Sequence, residues 1–239
     1  MRSDNRRNDE LRKINITRNY LLYPEGSVLI EWGNTKIICT ATVEEKVPPF
    51  LIGKEQGWIS AEYSMLPGAT ATRNQRDIAK LKKSPRSVEI QRLIARSLRA
   101  GADLSKLKDI SIIIDCDVIQ ADGGTRCASI TGGFVALYDA CIKLMDKGIL
   151  LENPIKQFVS AVSIGIVNKV PMLDLCYEED SSADVDFNAI MTEDGRFAEI
   201  QGTGENNTFS MEELHEILKL AKIGNDEIIQ IQKKSLEIL

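Results

Sequence analysis

Histidine is almost absent from the chain: a single residue, His215, in 239. It lies in a charged stretch of helical spacing near the C-terminus, which leaves little room for a Ser-His-Asp triad or a His-rich metal site. It reads as a surface helix residue. Paired cysteines are lacking too. The five present (Cys39, Cys116, Cys127, Cys141, Cys176) are an odd, scattered set without a Cys-x-x-Cys step, so neither a disulfide framework nor a zinc knuckle is expected. They read as reduced, mostly buried thiols. No uninterrupted apolar run approaches the roughly 20 residues of a membrane span. The stretch from Met1 to Arg7 carries no apolar segment of a secretion signal, and the expected compartment is the cytoplasm. Repeats, low-complexity tracts and Pro/Gly/Ser-rich linkers are missing as well, so one domain over residues 1–239 is the simplest organisation. With 43% hydrophobic residues the chain can bury a substantial core without staples.

A net positive charge is also absent. The balance is −5, which opposes diffuse attachment to nucleic acid and requires any RNA contact to be local. The charge is segregated. From Arg73 to Arg99 there are nine basic and two acidic residues, whereas Tyr177 to Asp186 carries five carboxylates and no cation.

Alternation of apolar and polar residues predicts antiparallel strands over Lys13–Asn19, Ser27–Trp32 and Thr35–Val43, with turns at Tyr23-Pro24-Glu25-Gly26 and Gly33-Asn34. A strand over Gly57–Met65 ends at Pro67-Gly68, and a basic loop from Ala69 turns helical before Ser84. There the period changes. A serine cap precedes proline at the first helical position, and Ile90, Leu93, Ile94 and Leu98 form an apolar stripe. A strand over Ile110–Ile119 runs through Gly123-Gly124-Thr125-Arg126 into a buried helix over Ala128–Met145. Further strands are expected over Gln157–Asn168 and Pro171–Tyr177 about a turn at Lys169-Val170. Ala183–Thr192 and Arg196–Ile200 flank a hairpin at Glu193-Asp194-Gly195, and two helices, Met211–Lys222 and Asp226–Ile238, close the chain.

Three features can carry chemistry. A glycine loop feeding a helix N-terminus presents unpaired N–H groups and the positive end of the helix dipole to an anion. In Gly123-Gly124-Thr125-Arg126, Thr125 adds a hydroxyl and Arg126 a planar fork matched to phosphate oxygens; an ordinary tight turn is the plainer reading of the same residues. Arg86 at the start of another helix opposes the local dipole unless an anion is near, or unless it snorkels to solvent or pairs with an aspartate such as Asp117. Asp180 and Asp186 fall in the acidic stretch. Close carboxylates with oxygen-only chemistry suit Mg²⁺, although an acidic loop kept soluble by its charge reads the same way.

Together these blocks resemble a known family. Glu89 to Ala100, Asp115 to Gly132, Glu179-Asp180-Ser181 through Asp186-Phe187-Asn188, Glu25 to Leu29 and Glu199 to Thr203 are similar to ribonuclease PH, and the resemblance runs from about Arg6 to the C-terminal helices. It implies an α+β fold like the second domain of ribosomal protein S5, and a homohexameric ring, a trimer of dimers. The implied activity is phosphate-dependent 3′-to-5′ exoribonuclease action on tRNA precursors, with rRNA as a further substrate, inorganic phosphate as nucleophile and nucleoside diphosphates as products; the reverse addition of nucleotides is also implied. The resemblance gives phosphate binding to Arg86, Gly124, Thr125 and Arg126. Catalysis and a divalent metal (Mg²⁺ or Mn²⁺) fall to Asp180 and Asp186, and RNA contact to Arg73, Arg76 and Arg99. The chain departs from the family pattern at Gly68, usually arginine, and at Pro85-Arg86-Ser87, usually Gly-Arg-Thr. Two rival readings are a catalytically silent RNA-binding ring subunit and a metal-dependent nuclease that uses water.

Overall fold

A computed structural model describes residues 2, 4–76 and 83–238. The N-terminal alternation produces three antiparallel strands, β1 (Ile14–Arg18), β2 (Gly26–Trp32) and β3 (Thr35–Glu44). They join β4 (Trp58–Met65) and β5 (Ser111–Gln120) in a sheet of order β1-β2-β3-β5-β4. β4 and β5 run parallel, an arrangement that needs a crossover connection. Helix α1 (Pro85–Ala100) supplies it, with the Ser84 hydroxyl accepting from the Ser87 N–H at 3.0 Å as the proline motif predicts. On β5, Ile112, Ile114, Cys116 and Val118 turn inward, leaving Asp115 and Asp117 on the opposite face.

Helix α2 (Thr125–Asp146) packs between this sheet and a second antiparallel one. The second sheet has the order β7-β6-β8-β9, with β6 Val159–Val167, β7 Val170–Leu173, β8 Val185–Thr192 and β9 Phe197–Gly204. By length and composition α2 could cross a membrane, but 83% of its most apolar stretch is buried here, as befits a helix between two sheets. Strand β6 is buried along its whole length, between α2 on one side and α4 (Met211–Ser235) on the other. One continuous apolar core therefore links both sheets. All five cysteines are free and buried, and His215 is exposed on α4.

Three expectations need correction. The β6–β7 turn is Asn168-Lys169, one residue earlier than predicted, and both residues take positive φ (50° and 65°), as a two-residue type I′ hairpin requires. β7 stops at Leu173 because Asp174 adopts φ 55°, and Tyr177 begins a short helix, α3 (Tyr177–Asp180). The C-terminal segment is one helix, not two. Gly224 is there for close approach, since a Cβ at that position would lie 2.8 Å from Leu173 and 3.2 Å from Val162. Asn225 is consumed inside the core, donating to the Ala221 and Ala189 carbonyls and accepting from Ser160. The basic loop shows bends at 69–72 and no helix through 76, and its predicted helical part falls on residues outside those described.

Candidate active site

The glycine loop, the start of α1, α3 and the N-terminal part of β8 open onto one cleft of about 340 Å³, within the range of small-ligand sites. Its walls include Arg86, Gly124, Thr125, Arg126, Asp180 and Asp186. The six residues assigned to phosphate and catalysis thus meet, although they come from four separate elements.

Gly123 and Gly124 take φ 75° and 66°, and Gly124 is the N-cap of α2 without a side-chain cap. Successive left-handed residues turn the chain sharply from β5 into α2, a conformation that glycine adopts without penalty. The N–H groups of Gly124, Thr125, Arg126 and Cys127 consequently have no intramolecular partner among the described residues. Neither α1 nor α2 has an acidic residue in its first turn, so no carboxylate of the helix itself offsets either positive end. Arg86 has no ion-pair or hydrogen-bond partner among the described residues; the Asp117 pairing does not form. Arg126 donates to Gln201 Oε1 at 2.9 Å and lies 3.4 Å from Glu89 Oε1, two contacts that hold its guanidinium in place.

Facing these cations, Asp180 closes α3 and Asp186 opens β8. A turn at 181–182 separates them, and they meet in the cleft from two different elements. Burial raises the pKa of Asp180, the Asp186 charge raises it further, and Arg86, Arg126 and Arg12 oppose the rise. Burial likewise raises Asp186; Arg126 lowers it, Glu205 raises it, and Arg86 and the Asn188 amide, donating at 3.3 Å, lower it. Two half-buried carboxylates held above the ordinary carboxylate range offer an oxygen-only donor set whose repulsion a divalent cation or a proton would relieve. They fit Mg²⁺ or Mn²⁺. No group of three or more acidic, histidine or cysteine ligands exists among the described residues, so such an ion would take its remaining ligands from water and phosphate oxygens.

Sequence reasoning missed several residues. The Tyr63 hydroxyl lies 2.9 Å from Thr125 Oγ1. Burial raises the Tyr63 pKa, with the Thr125 contact and the nearby Arg86 and Arg126 charges opposing. The phenol therefore stays protonated and can donate, which frees the threonine proton for a ligand. Asn188 was legible as the i+2 neighbour of Asp186 on one strand face. Ser163 on β6 is 5% exposed, lines the cleft and has no partner for its hydroxyl among the described residues; only the fold places it there.

The RNA-contact residues are dispersed. Arg73 and Arg76 are exposed on the loop whose Thr70 and Asn74 line the cleft. At Gly68, the base of that loop, an added Cβ would meet nothing within 4 Å, so the missing arginine reflects no lack of space. Arg99 is not brought to the cleft. It sits in the last turn of α1, roughly 20 Å from Arg86 at 1.5 Å per residue, with its guanidinium 4.3 Å from the Trp58 ring centroid and donating to the Ile59 carbonyl.

Cationic helix ends thus face paired carboxylates across one cleft. Residues 10–143 match domain 1 of the 3′ exoribonuclease (RNase PH) family and residues 157–224 match its domain 2. The chain belongs to that family and has its α+β fold. Solved structures agree. Rice (Oryza sativa) Rrp46 superposes with a TM-score of 0.79 at 17% identity, covering 98% of this chain and 100% of that one. A chain of the Archaeoglobus fulgidus exosome, determined with RNA bound to the active site, gives a TM-score of 0.83 at 23% identity over 96% of this chain and 92% of that one. A chain of an archaeal exosome core gives 0.78 at 22% identity over 98% and 91%.

Proposed function

We propose that this protein is an active, phosphate-dependent 3′-to-5′ exoribonuclease of the ribonuclease PH type, trimming 3′ ends of tRNA precursors and of rRNA in the cytoplasm. The observation that carries the reading is the convergence of Arg86, the Gly124–Arg126 loop and the Asp180/Asp186 pair in one cleft. Inorganic phosphate sits on the unpaired N–H groups of the loop, the Thr125 hydroxyl and the two guanidinium groups. These positive groups let two anions approach, which is where positioning and charge neutralisation lower the barrier. A phosphate oxygen attacks the phosphorus of the terminal phosphodiester in line. The bond to the 3′ oxygen of the preceding nucleotide breaks, that oxygen takes a proton, and the last nucleotide leaves as its diphosphate. The raised pKa of Asp180 or Asp186 suits either as the proton's source. A divalent ion held by the same two carboxylates would neutralise charge on phosphoryl oxygens. One phosphate linkage replaces another of similar energy, so the reaction also runs in reverse.

Arg73 and Arg76, exposed beside the cleft, and Arg99 supply RNA contacts outside the reaction centre. On this reading the working form is a homohexameric ring, a trimer of dimers, in which the cleft-side loop of one subunit reaches RNA bound by the next. The likeness to exosome chains supports a second reading: a ring subunit that binds RNA without cutting it. Incubation with a 3′-extended tRNA and Mg²⁺, with and without inorganic phosphate, separates the two. Nucleoside diphosphates released only with phosphate are the expected result. Phosphate-independent monophosphates, or RNA binding with no release, would overturn it.

A further inference from the structure

We infer that Arg12 and Thr35, neither of which lines the cleft, are positioning residues that set the phosphate loop; the inference rests on the phosphate site proposed above. A loop with two successive positive-φ glycines has few constraints of its own, so something outside it must decide which way its peptide groups face. Here the carbonyls of Asp122, Gly123 and Gly124 all have partners, and the partners of the first two do not line the cleft. Arg12 Nη1 donates to the Asp122 carbonyl, and Thr35 Oγ1 donates to the Gly123 carbonyl at 2.7 Å while accepting from the Asp122 N–H at 2.9 Å. The Gly124 carbonyl accepts from Ala128 N–H in the helix. With the carbonyls committed, the N–H groups from Gly124 onward are left to the cleft.

The brace is itself held rigidly. Arg12 is buried, and its backbone N–H, Nε and Nη2 all donate to Asp174 at 2.7, 3.1 and 2.7 Å. Asp174 also accepts from the Trp32 indole at 2.9 Å. The Asp122 carboxylate extends the frame, accepting from the Asn34 amide and from the Tyr177 N–H, both at 3.1 Å, at the first residue of the helix that carries Asp180. One buried guanidinium thus ties the segment before β1, the segment after β7 and the loop between β5 and α2.

Arg12→Lys separates this role from plain stability, because lysine keeps a charge opposite Asp174 but lacks the fork that also reaches the loop. Thr35→Val removes the second anchor at nearly constant shape. Arg18→Lys is the control, since Arg18 pairs with Asp139 at 2.6 Å on α2, outside the cleft residues. Phosphate KM and kcat are measured with RNA, and inorganic phosphate is titrated calorimetrically into the full chain without RNA. Arg12→Lys and Thr35→Val should each weaken phosphate binding roughly tenfold, about 1.4 kcal/mol, with kcat at saturating phosphate and RNA KM within about twofold. Arg18→Lys should melt earlier with its phosphate constants unchanged. Loss of stability in Arg12→Lys and Thr35→Val with ordinary phosphate affinity, or parallel loss of phosphate and RNA affinity, would overturn the inference alone. Wild-type protein that binds no phosphate would overturn the function and this inference together. Wild-type protein that binds phosphate but releases no nucleotide would reject the function while the calorimetric comparison still decides the loop's anchor.

Discussion

Gly123→Ala and Gly124→Ala should behave very differently, although the two glycines are adjacent and share a left-handed backbone. A Cβ on Gly123 would lie 2.5 Å from the Leu175 carbonyl oxygen, 2.8 Å from the Cys176 carbonyl carbon and 3.0 Å from the Tyr177 nitrogen. These are backbone atoms that cannot swing aside, so the two segments must part by about 0.5–0.9 Å to restore an ordinary contact. The left-handed conformation costs alanine about 1–2 kcal/mol and the overpacking about 1–3 kcal/mol. For a chain of this length each kcal/mol lowers Tm by roughly 2–4 °C, so Gly123→Ala should melt about 4–20 °C below wild type. At Gly124 the nearest atom to such a Cβ is Arg12 Nη2 at 3.1 Å, the end of a side chain. That braced guanidinium must give by only a few tenths of an ångström, so the backbone penalty dominates and the drop should be about 2–8 °C.

Gly123→Ala also wedges the loop away from the segment that starts α3, and so moves Asp180 relative to the phosphate. A misplacement near 1 Å costs on the order of 10²-fold in rate. Thermal unfolding with phosphorolysis assays at matched folded fraction checks both effects. If Gly123→Ala melts within about 2 °C of wild type, or loses no more turnover than Gly124→Ala, the steric reasoning fails.

Asp180→Asn and Asp186→Asn should abolish most turnover yet raise Tm at neutral pH in chelator-treated protein. Both carboxyls titrate above their ordinary 3.8 in the folded chain, so between that value and the raised one the folded state holds more protons than the unfolded. Stability therefore falls as pH rises through the window. The gain should vanish as pH approaches 3.8, and a lowered Tm at neutral pH would contradict the burial argument. Arg126→Lys keeps the charge but loses the fork, and phosphorolysis should fall by about 10²–10³; full activity with ordinary phosphate KM would remove Arg126 from the site. Tyr63→Phe should cost about 1 kcal/mol of stability and raise phosphate KM several-fold, whereas an unchanged KM would show that the Thr125 hydroxyl needs no orienting partner.

Legibility from sequence followed the range of the signal. The strand–loop–helix passage through Gly123-Gly124-Thr125-Arg126 and the Ser84-Pro85 helix start are local: caps, turn residues and hydrophobic period lie within a few positions, so both were readable. The single helix α4 was not, because Gly224 and Asn225 read locally as a break and only their packing against β6–β8 shows otherwise. The same distinction applies at the site. Asp180 and Asp186 were visible as an acidic run, but Tyr63, Ser163, Arg12 and Thr35 reach or brace the cleft through contacts far apart in sequence. Arg99, given to RNA contact by the resemblance, lies outside the cleft with its guanidinium over Trp58 and donating to the Ile59 carbonyl, a placement that no local signal shows.

The distribution of charge weighs between the catalytic and the silent readings. Arg86 stands at a positive helix end with no hydrogen-bond or ion-pair partner among the described residues, the loop N–H groups are unpaired among them, and burial raises both half-buried carboxyls, with the Asp186 charge raising Asp180 further. Each of these is unfavourable in the free protein, and each could be relieved locally by a single acidic residue in a first turn or by an aspartate changed to asparagine. A subunit that only holds RNA gains nothing from keeping all three, because a phosphodiester backbone is satisfied by exposed cations such as Arg73 and Arg76. A reaction in which two phosphate groups meet while an alkoxide is released requires both halves at once: positive groups to let the anions approach, and carboxylates to hold a proton or a divalent ion where the leaving oxygen forms.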